Sequence, residues 1–534
     1  MNLATFQRYR ISSRYSTFVA AFAVANLVLF GWPLYSFAVS GTHAATEANM
    51  LRLLVLTGLQ LALMVMLLTA VSLLSVRAMK VVCIVLLIGN ALALYFISTY
   101  HVLLDKTMIG NVFDTDHQEA LELFHPRLIA YLLLLGVLPG WIVLKTAIAD
   151  SSRPRRLRLL AITAVLGCVV VYAGSSTWLW FDKQARQLGG LMLPWSYLAN
   201  AGRYLESRAD VNRKQEPLPP LHFVAFHPER KTIVVLVIGE SARAADFSLY
   251  GYSKDTNPEL ARTDVIALPG AHACATYTTA AIRCMLSHMG SDAPTQVRQE
   301  ILPNYLQRQG VEVIWRSNNW GEPPLEVGVH QRADDIRRTC TGTGCERLSH
   351  DEALLYGLGE MLANSRSRRI FVVLHQAGSH GPTYYRKYPP EFGRFQPVCK
   401  SVDLSACSHE SLANAYDNTI VYTDHFLADT IRILQSVPES ASTMIYMSDH
   451  GESLGEHGFY LHGAPNALAP DEQRAVPFLL WMSPAFRSSR HVSAGDMLAK
   501  APFGDDNIFH SVLGAFGGRS SVYKPSLDLF RRAK

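Results

Sequence analysis

The sequence predicts a five-helix transmembrane domain followed by an α/β domain built on a mostly parallel sheet. Long apolar stretches dominate residues 1–181 of the 534-residue chain, and each has about the 20 residues that a helix needs to cross a bilayer. From residue 221 onward, strand-like apolar runs alternate with helical patterns, as in parallel sheets covered by helices. Between them, residues 206–220 are charged and end in a proline cluster, which predicts a linker.

The membrane part begins with an anchor that we expect to remain uncleaved. Its apolar part follows an arginine-rich start, as in a signal peptide, but it is too long for one, and further spans follow. Helical lengths and hydropathy place the five predicted spans at 17–40, 51–75, 80–100, 127–148 and 157–181.

Basic residues predict the orientation of these spans. They are concentrated in the N-terminus, in the loop with Arg77 and Lys80, and in residues 153–158, whereas loops 41–50 and 101–125 contain only Lys106. The positive-inside rule therefore makes the three basic segments cytoplasmic. An odd number of spans then places the chain after residue 182 in the periplasm, outside a bacterial inner membrane.

The predicted domains are the transmembrane domain (1–181), an interfacial helix with the linker (182–220), and the periplasmic domain (221–534). Residues 189–205 predict a short helix. It lies either on the membrane surface or packed beneath the soluble domain, and the sequence leaves both open.

The cysteines agree with a periplasmic location. Of the eight, Cys83 and Cys168 lie in apolar stretches, and the other six form close pairs in the soluble part: Cys274 and Cys284, Cys340 and Cys345, Cys399 and Cys407. Zinc knuckles are the alternative, but two of the three pairs lack their short ligand spacing. Local pairs in an even number favour three disulfides and an oxidising compartment. The net charge of +5 comes without basic clusters interleaved with aromatics, so we expect no binding to nucleic acid.

Two apolar runs end in residues suited to metal binding. Residues 232–239 predict a strand buried on both faces, with Glu240 directly after it, and residues 443–448 predict another, followed by Asp449 and His450. Ligands bind at the carboxyl ends of strands in open α/β sheets. The pattern therefore predicts a metal site at one edge of the sheet.

Other candidates are less specific when they are taken alone. Thr278, in a hydroxyl-rich loop between two cysteines, reads first as a helix cap, but beside a metal it would be a nucleophile. His380 and His462 stand next to glycines and would usually be structural. Asp417 and Asp424 are expected to cap or to form salt bridges on a helix over 416–435.

Several motifs together resemble the EptA-type lipid A phosphoethanolamine transferases, relatives of the mobile colistin-resistance enzymes. The main ones are Gly239-Glu-Ser-Ala-Arg243, Ser379-His-Gly-Pro-Thr-Tyr-Tyr385, Tyr416-Asp-Asn418, Ser448-Asp-His-Gly-Glu-Ser-Leu-Gly-Glu-His457 and Leu461-His-Gly463. The resemblance covers nearly the whole chain. It implies that the periplasmic domain has the alkaline-phosphatase/sulfatase-like fold.

The resemblance also implies residue roles. The zinc ligands would be Glu240, Thr278, Asp449 and His450, with Thr278 as nucleophile. Contacts to substrate would come from His380, His462, Asn111, Thr115 and Glu119, the last three at the lipid headgroup and the two histidines at the phosphate or a second zinc. From the chemistry of the reaction, and not from the resemblance, we expect Glu452 or His457 to assist proton transfer.

The implied reaction moves phosphoethanolamine from phosphatidylethanolamine to a lipid A phosphate through a phosphoethanolamine-threonine intermediate. The enzyme would be a zinc-dependent, membrane-embedded monomer, and the modification would favour polymyxin resistance. The alternatives are transfer to a lipopolysaccharide core sugar or a periplasmic glucan, or a membrane-anchored phosphatase. Two departures from the family pattern predict altered details: Arg283 replaces a usual proline, and Trp320 and Pro323 replace a serine and a lysine.

Overall fold

The computed structural model describes residues 12–40, 47–100, 102–104, 106–114, 125–177, 180–181, 184–211, 215–224, 230–293, 298–341, 345 and 348–532. The chain forms two compact units, and the second contains the chain from Leu205 onward.

Helices form almost all of the first unit. They span Tyr15–Phe30, Trp32–Ser40, Glu47–Leu74, Val76–Tyr100, Lys106–Asp114, Pro126–Tyr131, Leu138–Lys145, Arg153–Ala173, Ala185–Leu191 and Trp195–Val211, with a π-helical turn at Leu132–Val137. Two short strands, β1 (Ser12–Ser13) and β2 (Ala147–Ile148), pair in parallel.

Four helices in the described part of the chain are long and apolar enough to cross a membrane: Asn49–Leu74, Val76–Tyr100, Pro126–Lys145 and Arg153–Ala173. The predicted first span is instead a pair of helices, Tyr15–Phe30 and Trp32–Val39, bent by 61°. The bend lies at Gly31, where a Cβ would come within 2.4 Å of the Leu27 carbonyl oxygen. The predicted number of five is therefore reached only if this bent pair counts as one span.

Residues from the predicted interfacial segment pack into the first unit. Leu188, Leu191 and Leu193 belong to its buried apolar cluster, and Tyr197 donates a hydrogen bond of 3.0 Å to Asn90 in the helix Val76–Tyr100.

The second unit is organised by a seven-stranded sheet with the strand order β5-β12-β9-β4-β8-β6-β7. The strands of this unit are β3 (His222–Phe223), β4 (Lys231–Gly239), β5 (Ile266–Ala267), β6 (Glu312–Ser317), β7 (Val329–Arg332), β8 (Arg369–His375), β9 (Ser440–Ser448), β10 (Ser453–Leu454), β11 (Tyr460–Leu461), β12 (Phe478–Met482) and β13 (Gly518–Arg519). The strands from β9 to β7 run parallel. Beyond β9, β12 pairs antiparallel with both of its neighbours, β9 and the edge strand β5.

Helices cover both faces of this sheet. They span Thr278–Leu286, Leu302–Arg308, Ala333–Thr339, Leu358–Asn364, His409–Ser436, Pro484–Arg490, Ala494–Leu498 and Asp506–Ala515. Alternate residues of β4 serve the two faces: Val234, Leu236 and Ile238 pack with Asp506–Ala515, whereas Ile233, Val235 and Val237 pack with His409–Ser436. An uninterrupted apolar strand therefore forms because neither face meets water.

The structure contains the three disulfides, which join Cys274 to Cys284, Cys340 to Cys345 and Cys399 to Cys407. The first encloses Thr278 at the start of the helix Thr278–Leu286. It thereby ties the turn before Thr278 to the helix that begins there.

Candidate active site

The site lies where four neighbouring parallel strands end. In sheet order, β9 is followed by Asp449 and His450, β4 by Glu240, β8 by the loop to His380, and β6 by Asn319. Because parallel strands present their carboxyl ends at the same edge, these residues meet although they lie far apart in sequence.

Glu240 is the most heavily hydrogen-bonded acid of the site. It is 1 % exposed, and its Oε1 accepts a hydrogen bond of 2.6 Å from the Ser241 hydroxyl. Its Oε2 accepts hydrogen bonds of 2.7 Å from the Asn319 amide and 3.1 Å from the Thr278 hydroxyl. These three donors fix the orientation of the carboxylate.

Asp449 and His450 complete the acidic side of the site. Asp449 Oδ1 accepts hydrogen bonds from the backbone amides of Ser241, at 3.1 Å, and His450, at 2.7 Å. Its Oδ2 is buried and has no hydrogen-bond partner among the described residues. His450 Nδ1 lies 2.9 Å from the Gly451 carbonyl oxygen, to which it must donate. Nε2 faces Asp449 Oδ2, 3.3 Å away, and Glu240 Oε1, 3.4 Å away.

The Thr278 hydroxyl lies against these groups. It is 3.1 Å from Glu240 Oε2 and 3.4 Å from His450 Nε2. Thr278 is the first residue of its helix, so its oxygen sits at the positive end of the helix dipole. The structure thus brings together all four residues that were predicted as zinc ligands.

Two further histidines form the other wall. The His462 ring lies 4.2 Å from the His450 ring and the His380 ring 5.3 Å from the His462 ring, between centroids. His462 Nδ1 contacts Glu452 Oε2 at 2.8 Å, and Tyr384 donates a 2.7 Å hydrogen bond to Glu452 Oε1. The buried Nδ1 of His380 has no hydrogen-bond partner within the part of the chain that the structure describes.

Burial dominates the electrostatics of the site. Burial, followed by the negative charge of Glu240, raises the pKa of Asp449 well above its ordinary value. Burial is the largest single influence on Glu240 and acts to raise its pKa, but His450, His380, His462 and the hydrogen bond from Ser241 together outweigh it, so that the pKa is lowered. Burial raises the pKa of Glu452 to about 7, and it lowers the pKa of His462 well below the usual range. A divalent cation would stabilise both the anionic carboxylates and the neutral imidazoles.

The donor set fits such a cation. Glu240, His450 and His462 can each offer one ligand atom, and these atoms all lie within 4.8 Å of one another. The unpartnered Oδ2 of Asp449 adds a fourth acceptor beside them. Imidazole nitrogens and carboxylate oxygens are donors that Zn²⁺ commonly takes. This set shares Glu240 and His450 with the predicted one and adds His462.

Two residues of the site were not identified from the sequence. Asn319 follows β6 and Ser241 follows Glu240, so their positions directly after strands were the available signal. Ser241 adopts φ 55°, in the left-handed region that disfavours side chains, and such strain is typical of functional sites.

The departures from the family pattern can be placed as well. The guanidinium of Arg332 lies 3.6 Å from the centroid of the Trp320 ring. A Cβ on the next residue, Gly321, would lie 2.9 Å from Thr279 Cγ2. The loop that carries Trp320 therefore packs against the helix that begins with Thr278.

Some of the residues predicted from the sequence lie away from this site or outside the described part of the chain. Thr115 and Glu119 lie outside the described residues, and the side chains of Asn111 and His457 are likewise not described. Asp424 accepts hydrogen bonds from the backbone amides of Glu259 and Leu260, in agreement with a capping role.

Comparisons with known proteins agree over most of the chain. The family model described as sulfatase matches residues 232–518, and the one described as phosphoethanolamine transferase EptA/EptB matches residues 61–209. The chain is 40% identical over 476 residues to phosphoethanolamine transferase EptA of Helicobacter pylori. The aligned region covers 87% of this chain and 88% of that protein.

Two further similarities extend the comparison. Phosphatidylethanolamine transferase Mcr-1 of Escherichia coli is 34% identical over 424 residues, covering 76% of this chain and 78% of that protein. The solved structure of the integral membrane lipooligosaccharide phosphoethanolamine transferase A of Neisseria meningitidis covers 98% of this chain and 100% of that one, with 26% identity and a TM-score of 0.89. A membrane N-terminal part joined to a sulfatase-like domain is thus confirmed, and the chain belongs to the EptA-type phosphoethanolamine transferases.

Proposed function

We propose that this chain transfers phosphoethanolamine from phosphatidylethanolamine to a lipid A phosphate through a covalent phosphoethanolamine-Thr278 intermediate at a zinc site. The observation that carries the proposal is the position of the Thr278 hydroxyl, 3.1 Å from Glu240 Oε2 and 3.4 Å from His450 Nε2, at a helix N-terminus. The name of the similar Mcr-1 protein supports phosphatidylethanolamine as the donor.

Glu240, Thr278, Asp449 and His450 would hold the zinc ion, with His462 as the additional donor that the geometry offers. A bound zinc ion would supply positive charge that lowers the pKa of the Thr278 hydroxyl and stabilises the phosphoryl oxygens. The residues around it keep the acceptor atoms directed inward, because Ser241 and Asn319 orient Glu240 while Gly451 fixes the tautomer of His450.

In the first step, the Thr278 oxygen attacks phosphorus and the bond from phosphorus to the glycerol oxygen breaks. The hydroxyl proton passes to a neighbouring acceptor, of which Glu240 Oε2 at 3.1 Å is the nearest. This proton then passes to the glycerol oxygen, so that diacylglycerol leaves as the alcohol. Backbone amides at the helix N-terminus stabilise the charge on the phosphoryl oxygens.

In the second step, an oxygen of the acceptor phosphate attacks the same phosphorus, and the bond from phosphorus to the Thr278 oxygen breaks. Thr278 leaves as the alcohol with the proton that the acceptor phosphate monoester gives up. The kinetics are therefore ping-pong. His380 and His462 line the opposite wall, and the free Nδ1 edge of His380 suits a hydrogen bond to the phosphoryl group. Glu452 holds His462 in place through a contact of 2.8 Å.

The proposal includes the membrane setting. The chain is a multi-pass protein of a bacterial inner membrane, with domains at 1–181, 182–220 and 221–534 and the last in the periplasm, where disulfides persist. Asn111, Thr115 and Glu119 contact the lipid headgroup. The protein acts as a monomer, and addition of phosphoethanolamine to lipid A raises polymyxin resistance by reducing negative charge.

The test is mass spectrometry of lipid A from cells that express the wild type or Thr278→Ala. We expect a phosphoethanolamine adduct with the wild type and none with the variant. Thr279→Ala is the matched control, since it removes the neighbouring hydroxyl on the same helical turn and should keep the adduct. Peptide mass spectrometry of the purified wild type, digested after incubation with the donor alone, should show phosphoethanolamine on the peptide that contains Thr278.

The other outcomes separate the alternatives. An adduct on core sugars or periplasmic glucans, with none on lipid A, would refute the acceptor and keep the transferase. Release of free phosphoethanolamine without any acceptor adduct would indicate a phosphatase. An unchanged adduct with Thr278→Ala would refute the nucleophile.

A further inference from the structure

Asp351 is a buried acid that bridges two of the loops at the site. It begins the 3₁₀ turn Asp351–Leu355 and is 2 % exposed. Its Oδ1 accepts hydrogen bonds of 2.7 Å from the Asn318 side-chain amide and 2.9 Å from the Ala377 backbone amide. Its Oδ2 accepts hydrogen bonds of 3.1 Å from the Gly378 backbone amide and 3.4 Å from the Gln376 side chain.

The position of Asp351 follows from the end of the sheet. Strands β6 and β8 are parallel neighbours that end in register at Ser317 and His375, and the backbone amide of Asn318 still bonds to the His375 carbonyl at 2.9 Å. Beyond that point the segments that follow β6 and β8 no longer pair with each other through backbone hydrogen bonds. Buried amides that have left a ladder need other acceptors, and the carboxylate between the two chains supplies them for Ala377 and Gly378.

Both bridged loops bear on Glu240. On the β8 side, the Ser379 amide donates to the Glu240 carbonyl at 2.9 Å, and a Cβ on Gly378 would lie only 2.8 Å from that oxygen. On the β6 side, Asn319 donates to Glu240 Oε2 at 2.7 Å. The β8 loop continues to His380.

All four partners of Asp351 are donors, so only an acceptor satisfies the position. The orientation of the Asn318 amide is fixed from both ends, because its Oδ1 accepts a 3.1 Å hydrogen bond from Arg337 while its Nδ2 donates to Asp351. An asparagine in place of Asp351 would turn its own amide donors toward two of these donors. The side chain would keep its shape, but the hydrogen bonds through which Asp351 connects the two loops would be lost.

We propose that Asp351 is a positioning residue of the transfer reaction. Resting on the proposed zinc-dependent function, it acts through Asn318 and the 376–378 turn to hold the Glu240 carboxylate and the His380 ring in place for the metal and the phosphoryl group. It does not itself touch the reacting atoms.

The test compares the full-length, detergent-solubilised wild type with Asp351→Asn. Zinc affinity is measured by competition with a chromophoric chelator, kcat and KM with a fluorescent phosphatidylethanolamine, and Tm by thermal unfolding. We expect zinc affinity to fall by about tenfold, since changes to groups that orient metal ligands typically reduce affinity about 10- to 100-fold. The kcat should fall while the KM for the lipid stays unchanged.

Asp424→Asn is the matched control. Asp424 is also fully buried and accepts two backbone amide hydrogen bonds, from Glu259 and Leu260, at a position that contacts none of the site residues. This variant should lower Tm while zinc affinity and kcat keep their wild-type values. If Asp351→Asn also lowers Tm alone, Asp351 is merely structural and the inference is overturned.

A second variant decides the case in which Asp351→Asn does not fold. Asn318→Ala removes one of the two connections from Asp351 and should reduce zinc affinity several-fold; unchanged affinity would contradict the inference. A wild type that neither binds zinc nor transfers phosphoethanolamine would instead refute the proposed function. The two failures are therefore distinguishable.

Discussion

Replacing Asn319 with alanine tests whether Glu240 is oriented for metal binding before a metal arrives. Asn319 is 5 % exposed, and its amide donates a 2.7 Å hydrogen bond to Glu240 Oε2. A hydrogen bond to a charged group contributes about 1.5–3 kcal/mol, which is roughly a 10- to 100-fold change in affinity. Glu240 keeps its bonds from Ser241 and Thr278, so we expect the lower end, about tenfold weaker zinc binding.

The assay is chelator competition on the purified full chain, with transfer to a lipid acceptor measured in parallel. Asn418→Ala is the control, because Asn418 is equally buried and its side chain bonds to the backbone of Phe395, away from Glu240. This control should bind zinc like the wild type even if its Tm falls. Zinc affinity of folded Asn319→Ala within twofold of the wild type would refute the reasoning that Asn319 positions a metal ligand.

Three further predictions follow from neighbouring features. Ser241→Gly and Ser241→Ala should both weaken zinc binding roughly 5- to 10-fold, because both lose the hydrogen bond from the Ser241 hydroxyl to Glu240. Of the two variants, Ser241→Gly should have the higher Tm, since glycine removes about 1 kcal/mol of strain from the left-handed backbone. Equal Tm values for the two variants would contradict the presence of that strain. Chelation with EDTA should abolish transfer and lower Tm, and zinc should restore both, whereas a chelated protein with full activity would argue against a metal enzyme. Burial raises the pKa of Asp505 from 3.8 to about 8, so its contribution to stability is complete below about pH 4 and is lost as the pH rises through about 8. Between about pH 5 and about pH 8, the Tm of Asp505→Asn should therefore fall less than the Tm of the wild type. Parallel Tm profiles of the two proteins would contradict the raised pKa of Asp505.

The central strands could be predicted because their burial leaves a local pattern. β4 and β9 are long apolar runs, and the predicted bounds 232–239 and 443–448 fall within Lys231–Gly239 and Ser440–Ser448. The bend at Gly31 was not predicted, because the predicted span 17–40 followed the continuous hydropathy and not the Gly31-Trp-Pro33 sequence. Pro33 has no N–H to donate to the Leu29 carbonyl, and its ring disfavours a continuous helix there.

The site was predicted unevenly for a related reason. Glu240, Asp449 and His450 directly follow the two strongest strand signals, so their joint position follows from the rule on strand ends. Thr278 follows no strand, and its local pattern indicates a helix cap as readily as a nucleophile. The resemblance to a family was needed to select it.

Asn319 and Asp351 mark the limit of sequence reasoning because their roles depend on strand order. The order β9-β4-β8-β6 places the third of these strands in sequence, β8, between β4 and β6. This order brings the loops after β6 and β8 beside Glu240, and only then do Asn319 and Asp351 acquire partners there. No spacing in the chain encodes that order.

Glu240 and Asp449 differ in the hydrogen bonds that they accept, and we infer different roles for them from this difference. Glu240 has donors on both oxygens, from Ser241, Asn319 and Thr278, so the protein itself stabilises it as an anion. Asp449 has its donors on Oδ1 alone, and its Oδ2 faces His450 Nε2 at 3.3 Å. An oxygen that the protein leaves unsatisfied in a buried position is costly unless a cation binds it. Metal binding should therefore be coupled to folding mainly through Asp449, whereas Glu240, held in place by its donors, sets the geometry in which Thr278 meets the phosphoryl group.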